Sequence, residues 1–142
     1  MVAKAAIDID APCEVVWSIL MDIDHYGEWN PFVYRVTGTV AVGETVVLSV
    51  RLGKQKMKQP LIVRQVEAPT TLIWTMKSET NPFLRGGRTQ IVEDLGGQRC
   101  RYRTREELVG LISPLVGLAT KRAIQHGLET SSAALKARAE AV

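Results

Sequence analysis

Apolar and polar residues change their spacing several times along this chain, and each change marks an element. Ala6-Ile7-Asp8-Ile9-Asp10 alternates apolar and acidic positions, which predicts a half-buried strand. Ala11-Pro12-Cys13-Glu14 predicts a helix start. Proline suits the first helical position, where its missing N–H has no partner to lose, and Glu14 suits the positive end of the helix dipole. Val16, Ile19 and Leu20 give this helix an apolar face, with Trp17 beside it. Asp22 or Asp24 can cap a second short helix that ends near Gly27. Pro31 forbids its continuation and pushes Asn30 to an extended backbone.

From Phe32 to Leu108 the pattern is strands and turns. Strands are predicted over 32–36, over 46–52 (where Val46, Leu48, Val50 and Leu52 alternate with other residues), and over 57–66, 72–77, 88–94 and 100–108. Leu95-Gly96-Gly97-Gln98 reads as a hairpin turn and Glu67-Ala68-Pro69-Thr70 as another. This spacing predicts an antiparallel meander. At Ser113-Pro114 the chemistry changes again: serine suits an N-cap and proline the first turn. One helix of roughly 25 residues, about 37 Å long, is predicted to run to Arg138. Ile124, Leu128 and Leu135 share one face of it, with Gly117, Ser131 and Ala134 nearby. Small residues on a buried face let something approach closely, or leave space.

Composition changes this picture little. The 142 residues suit one domain, 1–142, with no repeat, linker or low-complexity tract. They are 46% hydrophobic and 23% charged, ordinary for a globular chain. A net charge of +3 does not by itself indicate nucleic acid or anionic lipid. No apolar run is long enough to span a membrane and the N-terminus has no leader-like stretch, so a cytoplasmic protein is expected. Cys13 and Cys100 fit no zinc or redox spacing. A reducing compartment is the simpler reading, with a disulfide between them left open.

The order strand, two short helices, six strands, long helix is that of the helix-grip fold. The residues also resemble a known group. Ile7-Asp8-Ile9-Asp10-Ala11-Pro12 followed by Val16-Trp17, then Tyr26-Gly27-Glu28-Trp29-Asn30-Pro31-Phe32, then Gly38 and Gly43, is similar to the START-like SRPBCC superfamily. The branch most similar is the polyketide cyclase/dehydrase-like one, and Leu72-Ile73-Trp74, Glu106 to Gly110 and the last helix continue the match. The resemblance implies an α+β fold: a curved seven-stranded antiparallel sheet, two short helices, and a long C-terminal helix enclosing a pocket. It implies a ligand cavity more firmly than a reaction. Where related sequences often carry an inward histidine and phenylalanine two apart on the sixth strand, this chain has Arg88 and Gln90. That departure implies a polar or anionic group on the ligand.

Candidate chemistry gathers on the last two strands. With Arg88 inward, Gln90 and Val92 are inward too, and Cys100, Tyr102, Thr104, Glu106 and Leu108 share a face of the next strand. Arg88, Gln90, Tyr102 and Glu106 then form a polar cluster able to orient a carboxylate or enol, or to handle a proton. Alternatively Arg88 and Glu106 simply pair with each other, as buried charges must, or the opposite register exposes both. Trp74, between Leu72 and Met76 on one strand face, is expected to point inward, and Ile124 and Leu128 to face the pocket from the helix. Trp17 is expected in the core, and Trp29 and Phe32 at the corner from helix to strand.

His25 and His126 make no metal motif, so no metal site and no cofactor is expected. Arg51, Lys54, Lys56 and Lys58 crowd a hairpin tip that can meet phosphates or lipid headgroups, although such a run is usually a solvated turn. No aromatics alternate with these lysines, so no nucleic-acid platform is expected. Thr80 to Leu84 and Leu108 to Ala119 are apolar stretches near loops, either a lid at a pocket mouth or packing against the sheet. Phosphate-binding glycine loops, dinucleotide fingerprints and Gly-x-Ser-x-Gly elbows are missing.

Three functions remain open. One is a binding module for a small, mostly hydrophobic or amphipathic molecule, such as a lipid, polyketide-like or aromatic compound. Another is an enzyme using the same cavity for cyclisation, dehydration or isomerisation, with Glu106 or Tyr102 as acid/base. The third is a partner-binding protein whose surface matters more than its pocket. No stable membrane insertion is expected, and oligomeric state is not written in the pattern.

Overall fold

The structure, a computed structural model, describes residues 1–142. Strand β1 (Val2–Ile9) leads into helix α1 (Cys13–Met21) and a short 3-10 helix (Ile23–Glu28). Six strands follow: β2 (Val33–Gly38), β3 (Thr45–Leu52), β4 (Gln55–Glu67), β5 (Thr71–Thr75), β6 (Arg85–Gly96) and β7 (Arg99–Val109). Helix α2 (Ser113–Glu140) ends the chain. All seven strands join one antiparallel sheet in the order β1-β7-β6-β5-β4-β3-β2. The meander therefore has a single break in sequence order, where β1 pairs with β7.

The helix starts differ slightly from expectation. Pro12 stands just before α1 with an extended backbone, so the helix begins at Cys13. Ile112 rather than Ser113 takes the N-cap of α2, while Pro114 lies in the first turn as expected. Asp22 caps nothing with its side chain; its carboxylate instead binds His25 Nδ1 at 2.7 Å. The β6–β7 hairpin turns on Gly97 and Gln98, both at positive φ (60° and 59°), which matches a two-residue turn twisted like its strands.

One core lies between the concave face of the sheet and the helices. Alternation places Val46, Leu48 and Val50 of β3, Leu61 and Val63 of β4, and Leu72 and Trp74 of β5 inward. Leu20, Phe32, Leu128 and Leu135 meet them from the other side. The small residues of α2 serve close approach rather than space. A side chain at Gly127 would run into the Phe32 ring, so the glycine is what lets Phe32 pack against the helix.

Helix α2 also closes the free edge of β1. The Gln125 amide donates to Lys4 O (2.8 Å) and accepts from Lys4 N–H (3.1 Å), mimicking a neighbouring strand. Lys136 Nζ donates to Asp8 O at 2.9 Å, and Asp10 N–H donates to Glu140 at 2.8 Å. Backbone groups that an edge strand would leave unpaired are thereby satisfied.

Candidate functional site

β6 and β7 position the polar cluster. Arg88 lies directly opposite Glu106 in the ladder, and Gln90 opposite Thr104. Period-two alternation aims all four at the concave face, together with Tyr102. Arg88, Gln90, Tyr102 and Thr104 are buried, and Glu106 is partly so.

The hydrogen bonds run in one direction. Arg88 Nε donates to Thr104 Oγ1 at 2.7 Å, and Arg88 Nη2 donates to the Tyr102 hydroxyl at 3.2 Å. That hydroxyl donates its proton to Gln90 Oε1 at 2.6 Å. Since the Gln90 oxygen is the acceptor, its Nε2 turns away, and there it has no partner. Trp74 Nε1 is likewise buried without an acceptor.

Arg88 and Glu106, side by side in the ladder, form no ion pair. None of the molecule's ion pairs includes either residue. The guanidinium reaches diagonally for Thr104 and Tyr102 instead. Burial pushes the Glu106 carboxyl up to about 7, with the nearby positive charge of Arg88 pulling the other way. Burial likewise raises the Tyr26 hydroxyl above the ordinary phenol range; it donates to Leu20 O at 2.7 Å.

Two small cavities flank Arg88. The larger, about 40 Å³, lies between the sheet and α2 and is lined mainly by apolar side chains, with Trp74, Arg88, Glu106 and Ile124 among them. The smaller, about 10 Å³, is bordered by Tyr26, Trp29, Asn30, Arg88, Gln90 and Tyr102. The first has room for a water or two and the second for barely one. Drug-sized ligands occupy pockets of about 300–1,000 Å³. Phe32, Met57 and Trp74 are among the large side chains that line the bigger of the two cavities. A groove of about 830 Å³ outside α2, along Met1, Leu118, Lys121 and His126, is larger but shallow and far more open.

Of the residues singled out from sequence, the structure brings Trp74, Arg88, Gln90, Tyr102, Glu106 and Ile124 to these cavities. Leu128 is buried in the core and lines neither. Thr104, the partner of Arg88, was legible as a member of the inward face but carried no chemical signal of its own. Met57, Leu52 and Gln59 of the β3–β4 hairpin also line the larger cavity; a charged hairpin tip hid their inward face. His25 and His126 are exposed, and no cluster of potential metal ligands occurs. Cys13 and Cys100 are buried free thiols, and burial raises both, Cys100 to about 11.

The family described as "Polyketide cyclase / dehydrase and lipid transport" matches residues 2–140. The chain belongs to this family. Solved structures share the fold of this polyketide cyclase/dehydrase family member across almost its whole length. A START superfamily protein from Mycobacterium smegmatis superposes with a TM-score of 0.74 at 18% identity, covering 99% of this chain and 97% of that one. The Zhui aromatase/cyclase from Streptomyces sp. R1128 gives 0.73 at 17% identity, with 99% and 93% covered. The di-domain ARO/CYC BexL from the BE-7585A biosynthetic pathway gives 0.75 at 18%, covering 99% of this chain and 46% of that longer one. At these identities the likeness is one of fold. A search among proteins of curated function finds no match. No helix is long and apolar enough to cross a membrane.

Proposed function

We propose that the cavity between sheet and α2 binds a small, mostly hydrophobic molecule carrying a carbonyl or carboxylate oxygen. The observation that carries this reading is a buried cation without a carboxylate together with two unmet N–H donors around the cavities. Arg88 is a buried cation with no carboxylate partner, and Trp74 Nε1 and Gln90 Nε2 are buried N–H groups with no acceptor. Each of these two N–H groups costs on the order of 1–3 kcal/mol when unmet, so an oxygen that reaches Trp74 Nε1 in the larger cavity, or Gln90 Nε2 beside the smaller, recovers what the empty state lacks. The apolar wall from Leu48, Val50, Leu61 and Ile124 suits the rest of such a molecule. Entry requires the cavity to widen, and the β3–β4 hairpin, which supplies Leu52, Met57 and Gln59, borders it. The family description, which includes cyclase, dehydrase and lipid transport members, fits a ligand of this kind.

Titration with anilinonaphthalene sulfonate, an apolar aromatic with one anionic group, tests the reading. One site is expected, weakened at least tenfold, or about 1.4 kcal/mol, by Arg88→Met. A folded protein that takes up no dye, or a variant that binds as tightly as the parent, defeats it. Native mass spectrometry of freshly purified protein is a second check, since a retained small molecule would show as added mass.

A second reading has its own observation. Glu106 titrates near neutrality beside a cation it does not pair with, which is how a general acid/base is poised. The same cavity would then support cyclisation, dehydration or isomerisation, with Glu106 moving the proton and Arg88 holding the developing oxyanion. Glu106 suits this better than Tyr102, whose O–H is committed to Gln90. A double-mutant cycle in Arg88→Met and Glu106→Gln separates the cases. Coupling in turnover favours the enzyme, coupling in affinity alone a carrier. Coupling in unfolding alone would mean a structural pair and no site.

A further inference from the structure

The antiparallel order brings three connections to one end of the sheet: the β3–β4 hairpin, the β5–β6 loop, and the junction of β7 with α2. The last two are joined directly, because Leu111 N–H donates to Pro82 O (2.9 Å) and Ile112 N–H to Phe83 O (3.0 Å). This joined surface is apolar and open to solvent. Leu118 is 87% exposed, Leu111 75%, Leu115 70% and Phe83 57%, with Ile112 beside them at 42%. Leu115, Leu118 and Arg122 follow one another at helical spacing, so an apolar stripe on α2 runs straight into a cation.

Charge is gathered here as well. Residues 51–58, 76–85 and 109–123 contain eight Lys or Arg (Arg51, Lys54, Lys56, Lys58, Lys77, Arg85, Lys121, Arg122) and one acid, Glu79. These segments carry +7 in a chain whose total is +3, leaving −4 on the remainder. Glu79 is paired with Arg64 at 3.3 Å. Of the glutamates arriving on β7, Glu107 is paired with Arg105 at 2.8 Å and Glu106 lines the cavity.

We propose that this end docks on anionic membrane surfaces, with Leu111, Leu115, Leu118 and Phe83 entering the headgroup layer and the basic residues binding lipid phosphates and carboxylates. Clustered apolar side chains rimmed by basic ones are what an interfacial anchor needs. A second copy of the chain fits poorly, because two such faces would set +7 against +7. The proposal goes beyond the cavity reading and does not rest on it.

Co-sedimentation with vesicles of phosphatidylserine and phosphatidylcholine in equal parts, against phosphatidylcholine alone, tests it. Binding is expected only to the mixed vesicles and should fall as salt is raised. Leu115→Glu with Leu118→Glu should weaken it about tenfold or more, and Lys54→Gln with Lys58→Gln about 25-fold, at roughly fivefold per charge removed. All four positions are exposed, so thermal unfolding of these variants should match the parent. No binding to mixed vesicles, equal binding to both kinds, or leucine variants that bind like the parent overturns the proposal. So does a dimer in sedimentation equilibrium that the leucine variant abolishes, since the stripe would then be a contact between copies.

Discussion

Helix α2 has two halves that set their leucines on different sides of the helix, and the leucines meet different fates. In the half from Ile124 onward the inward positions Ile124, Gly127, Leu128, Ser131, Leu135 and Ala139 are all buried, and Gln125, Lys136 and Glu140 tie the helix to β1. In the half from Ser113 to Ala123 only Ser113 and Gly117 are buried, while Leu115 and Leu118 face solvent. Leu115 and Leu118 lie roughly a quarter to a half turn round the helix from Ile124, Leu128 and Leu135, whereas Ser113 and Gly117 continue the buried face. A leucine of α2 is therefore core or surface according to the side of the helix it occupies.

The largest test of this difference is a pair of leucines. Leu128→Ala is expected to cost about 2–5 kcal/mol in urea unfolding, because it leaves a hole in a packed core. Leu118→Ala should change stability by less than about 0.5 kcal/mol. Equal costs would erase the distinction between the halves.

A pair of glycines comes next. Gly127→Ala forces a methyl into the Phe32 ring and is expected to lose about 1–3 kcal/mol in spite of alanine's better helix propensity. Gly117→Ala meets the Cβ and Cγ of Met1, whose backbone is hydrogen-bonded to Leu108, so the clash should offset alanine's better propensity and leave a smaller loss than at Gly127. Thermal unfolding reads the difference. Amide exchange should show the same split in the parent protein, slow from Ile124 to Ala139 and faster from Ser113 to Ala123.

Removing the edge clamp is a smaller perturbation. Gln125→Ala should cost about 0.5–1.5 kcal/mol and speed exchange at the Lys4 amide, whose acceptor is then water.

The gentlest test uses pH. The folded Glu106 carboxyl holds its proton up to about 7 against an ordinary 4.5, so the folded state binds more protons between those values. Stability should therefore fall as pH rises through that window and level off above it. Glu106→Gln should remove that slope. His25, raised by Asp22, also loses its contribution as pH climbs past its own folded value, so the difference between variant and parent is the quantity to read.

The cavity shows what patterns along the chain cannot resolve. Alternation on β6 and β7 was enough to put Arg88 and Gln90 on one strand face and Tyr102 and Glu106 on another, because a pleated strand has only two faces, but it left open which face turns inward. Nothing in that alternation says that Arg88 would reach past its ladder partner Glu106 to Thr104 and Tyr102. Side-chain reach depends on the sheet's curvature and on neighbours from distant segments. Met57 was missed for a related reason: its lysine neighbours marked the hairpin as solvated, whereas the opposite face of the same strand borders the cavity.

Element order, antiparallel pairing and the membership of each strand face were determined by the sequence itself. They follow from the period of apolar residues, from proline and glycine at the breaks, and from turns too short for anything but hairpins. Tertiary structure alone decided the size of the cavity, the unmet donors around it, and the gathering of leucines and basic residues at one end. Those features arise from contacts among segments far apart in the chain: Phe32 on Gly127, Arg88 on Thr104, Leu111 on Pro82. Such contacts depend on volume and angle in three dimensions, which a one-dimensional pattern does not encode.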